Sequence, residues 1–367
     1  MSINTPRKAN LYMIFFLLYL SIAPVMIYIV LPGAVETLNT AELQILFYLL
    51  AFFPPVLLYF LVSGRAGGRA LPFNKLSFAN AGLVLLISFA AMPVMMALSA
   101  LSTVFFPNDI SEMVTDMASE SGMTLNLIAI GVMPALLEEL IFRGIILRGY
   151  RGVRLVTAAF VNGIFFAVMH LGPQQFLYAF MLGFIFVLLV HYTKSIFAPM
   201  LAHFTINATQ MLLMSVPEQT QEITEAAEEM TAMPPEMILM AVYLGALFLV
   251  ITGALIAVLI KFNKKQPGDL MKEHYLPQED PVIYLENVFE GDFPTHPGND
   301  RAEAPPMPPA APIDPWTDYL TDAHLPEKHR PRVFDFTFWV VIVLYPALLL
   351  LPLLLSHLLY LLYGGLA

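Results

Sequence analysis

The chain of 367 residues contains no cysteine. That excludes disulfides, a thiol nucleophile and any Cys-based zinc or iron–sulfur site, and it leaves the redox compartment unmarked. Charge is the second shortage. Only 13% of residues are Asp, Glu, Lys or Arg, against about 25% in an average soluble domain. So few charges cannot cover a globular surface of this size, which excludes an ordinary soluble enzyme and a disordered chain. The net charge of -10 argues against nucleic-acid binding, which needs a basic face. What is abundant is apolar: 58% of residues are hydrophobic. The composition is that of an all-α polytopic membrane protein whose first partner is the lipid bilayer.

A helix needs about 20 apolar residues to cross the hydrocarbon core. Nine candidate spans follow, at roughly 11–32, 43–62, 79–104, 125–147, 155–171, 175–192, 195–216, 237–260 and 336–363, so eight to nine transmembrane helices are expected. The first lacks a small-residue cleavage site and is too long for a signal-peptide core, and is read as a retained helix. Arg7 and Lys8 before it put the N-terminus in the cytoplasm. With the loops then alternating, 17 of the 18 basic residues fall on the cytoplasmic side and one, Arg143, falls within a span. The external loops hold no Lys or Arg and are acidic: Glu36, Glu42, Asp109 through Glu120, and Glu218 through Glu236. The C-terminus comes out external. The protein is read as multi-pass in a cell membrane, and bacterial in style.

This divides the chain into N-terminal helices (1–122), a central four-helix core (123–216), an external loop with helix 8 (217–262), a linker (263–335) and a last helix (336–367). The linker is rich in Pro, Asp and Glu and reads as extended and disordered. Two patches in it, Val282–Leu285 and Trp316–Leu320, are candidate docking points for a protein partner. The Leu-rich last helix is given only an anchoring role, with Asp335 at its watery edge.

A charged group inside a span costs several kcal/mol and is a functional hypothesis by default. Such groups occur only in span 4, as Glu138, Glu139 and Arg143. Glu139 and Arg143 are four apart and share a helix face, so they can pair. Glu138 points about 100° away and is left free. His170 ends span 5, and span 7 carries His203 and Asn207 on one face. Polar groups on neighbouring apolar helices seek one another as partners, which makes a shared site. His191 reads as interfacial and without a role. Pro134 and Pro199 each lie four residues before Glu138 and His203, where a helix-interior proline kinks the helix and frees a carbonyl one turn earlier. One count resists: Glu138 and His203 lie roughly 12–15 Å from the cytoplasmic ends, but His170 roughly 22–24 Å.

A glutamate with two histidines and an amide suits water activation. Glu138 is the candidate general base, with the histidines and Asn207 holding water and stabilising an oxyanion. Alternatively His170, His203 and a carboxylate form a catalytic zinc set. The HExxH motif of common zinc proteases is absent, as is a Gly-x-Ser-x-Gly elbow. The same residues would also serve a proton-coupled transporter.

In order, Glu138-Glu139-x-x-x-Arg143, Phe166-x-x-x-His170 and His203-x-x-x-Asn207 resemble the three motifs of the CPBP family. These are CAAX-processing and bacteriocin-processing membrane proteases, similar to the Ras-converting CAAX endopeptidase. The resemblance covers about 123–216 and implies an intramembrane endopeptidase acting on a peptide or membrane protein. It implies Glu138 as the water-activating glutamate, His170 and His203 as catalytic histidines, Asn207 as the oxyanion amide, and Glu139 with Arg143 as a supporting pair. Zinc at His170 and His203 stays open, and a non-catalytic immunity protein or scaffold of the same fold is the alternative. The linker and last helix fall outside the shared core.

Overall fold

The computed structural model describes residues 3, 5–69, 71–106, 109–150, 152–215, 235–263 and 332–363. The linker patches and His274, His296, His324 and His329 lie outside them. Among the described residues the regular structure is helical, apart from one isolated bridge between Phe73 and Ser195. The helices are α1 (Pro6–Val30), α2 (Pro32–Thr37), α3 (Thr40–Ala51), α4 (Phe53–Arg69), α5 (Phe78–Thr103), α6 (Asp109–Glu120), α7 (Met123–Tyr150), α8 (Leu155–Met169), α9 (Phe176–Thr193), α10 (Phe197–Met214), α11 (Pro235–Asn263) and α12 (Phe336–Tyr363).

Among the described residues, six segments are long and apolar enough to cross a membrane: Pro6–Val30, Thr40–Ser63, Phe78–Thr103, Met123–Tyr150, Pro173–Thr193 and Pro235–Asn263. Leu155–Met169 and the described apolar part of α12 are shorter. At 1.5 Å per residue α8 reaches only about 22 Å, short of a ~30 Å core. These six are fewer than the eight to nine expected from the sequence.

Helix ends are tied to one another in two groups. In one group, Asn10 donates to Asp335 (3.2 Å) and accepts from the Tyr150 hydroxyl. Asn80 pairs with Asn263, Asn74 donates to the Lys194 carbonyl (2.7 Å), and Arg148 donates to Tyr59 (2.9 Å). In the other, Thr40 donates to Glu120 (2.7 Å) and Ser121 to Asn39 (2.9 Å). Each bond joins ends that the charge alternation assigns to the same side. Glu120, wholly exposed there, is held below the usual carboxylate range by the Thr40 hydroxyl and N–H.

Two features bring the helices close around α7. Gly163 of α8 and Gly183 of α9 meet directly: a Cβ on Gly183 would lie 2.8 Å from the Gly163 Cα. Small residues allow such close backbone approach between apolar helices. α7 itself is irregular, with π-helical turns at Leu127–Val132 and Leu140–Ile146 on either side of the α-helical Met133–Glu139. Single π turns within helices recur at functional sites. Below Glu139, residues Ile141 to Tyr150 are all buried.

Candidate active site

Glu138, Glu139, Arg143 and His203 form one buried constellation. Glu139 and Arg143 are both 0% exposed and pair at 2.9 Å, as their spacing on the helix implies. The guanidinium also donates to the Gly183 carbonyl (3.3 Å). Its central carbon lies 4.3 Å over the Phe166 ring and 5.0 Å from that of Phe186, where aromatic faces attract a cation. The Gly163–Gly183 contact brings α8 and α9 together behind this cation.

The same oxygen of Glu139 that pairs with Arg143 accepts from His203 Nδ1 at 2.9 Å. A carboxylate on Nδ1 fixes the tautomer, so the proton sits on Nδ1 and Nε2 offers a lone pair. That Nε2 faces Glu138 Oε2 at 4.0 Å. The gap exceeds a hydrogen bond. Glu138 Oε2 is buried and accepts no hydrogen bond, whereas Oε1 is held by the Tyr48 hydroxyl at 2.7 Å. Glu138 thus has one oxygen pinned and one directed at His203.

His170 follows the last residue of α8. Its Nδ1 donates to the Phe166 carbonyl (2.7 Å), which leaves Nε2 with its lone pair. Leu171, next in the chain, has a left-handed backbone (φ 49°) that stops the helix; the conformation costs a branched residue about 1–2 kcal/mol. His170 is half-buried, while Glu138 and His203 are 3% and 5% exposed. His170 lines the same cavity and lies within electrostatic reach of Glu138 and His203. The depth discrepancy in the sequence does not keep His170 out of the cavity that Glu138 and His203 line.

Asn207 is partly committed. Its amide N–H donates to the Ile130 carbonyl at 2.9 Å. Ile130 lies four residues before Pro134, which has no N–H to offer it. Asn207 therefore caps the carbonyl that the proline frees, and its second N–H remains for the cavity it lines. Pro199 behaves differently. It occupies the third position of α10, where the missing N–H is not needed, so it makes no interior kink below His203.

The cavity has a volume of about 480 Å³ and is lined by Glu138, His170, His203 and Asn207 among others. Tyr48, on α3, is the functional neighbour that the sequence reading missed. Leu348 of α12 also lines the cavity, so the last helix supplies a wall as well as an anchor. That helix begins with Asp335 accepting from the Phe338 N–H (3.1 Å). His191, in the last turn of α9, is buried at 8% exposure and does not line the cavity.

The two histidine Nδ1 atoms are each held by an oxygen, as in histidine metal ligands. Among the described residues, however, no three His, Asp or Glu side chains come together closely enough to hold a metal. The donor set as arranged among the described residues does not fit zinc.

Fold and site define a multi-pass α-helical membrane protein with an acid–base centre buried between its helices. Residues 120–209 match the family model described as type II CAAX prenyl endopeptidase, Rce1-like, so this part of the chain is similar to a family of membrane endopeptidases. The matched segment contains all seven motif residues. No curated protein and no solved structure matches the chain.

Proposed function

We propose that the protein is an intramembrane endopeptidase in which Glu138 activates water directly. The observation that carries the reading is the 4.0 Å gap between Glu138 Oε2 and His203 Nε2. Both atoms are acceptors. A water between them, about 2.8 Å from each, donates both hydrogens and turns its lone pairs outward to a peptide carbonyl.

In the reaction, a water O–H bond breaks, its proton goes to Glu138 Oε2, and the oxygen forms a bond to the carbonyl carbon. The second amide N–H of Asn207 faces the oxyanion. The tetrahedral intermediate then breaks its C–N bond, and the proton on Glu138 passes to the leaving nitrogen. The products are an acid and an amine, with Glu138 returned to its starting state. Glu139 keeps the tautomer of His203, and Arg143 fixes Glu139 in place through the 2.9 Å pair. The closed floor formed by Ile141 to Tyr150 favours this reading over a transporter, which would have to open it.

The test is incubation of the purified protein in detergent with a library of internally quenched peptides, with mass spectrometry of the products in water enriched in oxygen-18. New C-termini carrying the heavy oxygen are expected. A protein that cleaves no member contradicts the proposal. Exposure to a strong chelator is expected to leave the rate unchanged, and a loss restored by zinc would return His170 and His203 to metal ligation.

Tyr48→Phe tests the pinning of Glu138. A hydrogen bond to a charged group contributes ~1.5–3 kcal/mol, so kcat should fall about tenfold to a hundredfold. KM and the melting temperature in detergent should hardly move, because only the hydroxyl is lost. A loss shared between KM and stability would make Tyr48 a packing residue.

A further inference from the structure

We infer that the catalytic cavity opens on the external side of the membrane, and that its substrate is a segment of an exported or membrane-anchored polypeptide presented there. The inference rests on the endopeptidase reading for the identity of the substrate, but its geometry stands independently.

The basic residues and the cavity occupy opposite halves of the molecule. Lys8, Arg69, Lys75, Arg148, Arg154, Lys194 and Lys261 mark the beginnings or ends of helices that meet in one group. Such clustering marks the cytoplasmic side. The cavity lining comes from the other halves. α1 contributes Leu20 and Pro24 near its far end, α7 contributes Ala129 and Ile130 near its start, and α10 contributes Gln210 near its finish. Val114 of α6, the acidic helix tied through Glu120 to the start of α3, also lines it. On the basic side α7 is packed shut from Ile141 to Tyr150. A substrate arriving from the cytoplasm would meet that floor, and one arriving from outside would meet the mouth.

The lining chemistry suits a peptide chain. Gln44, Gln175 and Gln210 bring amides that both donate and accept, as an extended backbone requires. The surrounding end of the molecule carries Glu36, Glu42, Asp116 and Glu120 and no Lys or Arg. Basic residues beside the cleaved bond are therefore favoured over acidic ones.

The absence of native cysteine makes the test direct. Gln210→Cys, at the exposed mouth, and Asn74→Cys, in the exposed loop at the basic end, are each the sole thiol. Membrane vesicles of both orientations are treated with a membrane-impermeant sulfonated maleimide. Gln210→Cys should label in right-side-out vesicles and Asn74→Cys only in inverted ones. The reverse pattern, or labelling of both from one side, overturns the inference. In a second arm, an impermeant quenched peptide with lysines flanking the cleaved bond is added to sealed right-side-out vesicles, and a glutamate-flanked twin serves as comparison. Preferential cleavage of the lysine peptide supports the assignment. If the vesicles leave it intact while detergent-solubilised protein cuts it, the side of action is wrong. If neither preparation cuts it and the labelling is as expected, the endopeptidase reading fails and the external mouth stands.

Discussion

Glu138→Gln is expected to lower the rate of peptide cleavage by about 10²- to 10⁴-fold, the usual contribution of a positioned general base. Glutamine has the shape of glutamate, and its carbonyl oxygen can still accept from the Tyr48 hydroxyl that now holds Oε1 at 2.7 Å. The cavity therefore keeps its form, and only the capacity to take a proton from water is lost. The substitution also removes a carboxylate that is only 3% exposed, and a buried charge is costly to keep out of water, so the melting temperature in detergent should stay level or rise. Gain in stability with loss of rate is the pattern of a site whose strain serves function. Glu138→Ala is a poorer probe, since it leaves the Tyr48 hydroxyl buried without its acceptor. Initial rates with the fastest-cut library peptide, beside a thermal melt of each variant, decide the matter. A rate within tenfold of the parent would put the base elsewhere.

The parts of this site that were legible in sequence are those fixed within one helix. Glu139 and Arg143 pair because they are four residues apart, and Glu138 is left out of that pair by the same geometry. The freed Ile130 carbonyl was foreseeable from Pro134, and so was its need for a side chain. That Asn207 supplies it depends on how α10 crosses α7, which spacing does not encode. Tyr48 was invisible for the same reason. It sits 90 positions before Glu138, in a span where a tyrosine is unremarkable, and only packing reveals its partner. Pro199 was misjudged because a helix start was placed at 195 instead of Phe197, which turned a harmless first-turn proline into an interior one. The role of α12 in the cavity wall could not be read from a uniform run of leucines. In the fold, composition identified the class, while the irregular turns of α7 and close approaches such as Gly163 against Gly183 leave no mark in hydropathy.

The Glu139–Arg143 pair gives the second large effect, in stability. Removing one member of a buried ion pair costs about 3–5 kcal/mol, because the other charge is left uncompensated in a low-dielectric interior. Arg143→Met is therefore expected to destabilise the protein strongly. The long apolar side chain can occupy the space between Phe166 and Phe186, so the loss reports charge more than volume. Glu139→Gln alone should also destabilise, leaving Arg143 without its anion. The double variant removes both charges, and replacing a buried pair by neutral groups is often close to neutral. Its stability should therefore recover well beyond the sum of the two single losses, a coupling of the kind contacting residues show. Unfolding curves of the four proteins in one detergent measure it, and additive losses would mean the pair does not act as a unit. Activity should not recover in parallel. An amide at position 139 can still accept from His203 Nδ1, but more weakly than a carboxylate, so it holds less firmly the tautomer that aims Nε2 at the water. A double variant that is stable yet slow would separate what the pair does for the fold from what it does, through His203, for the water beside Glu138.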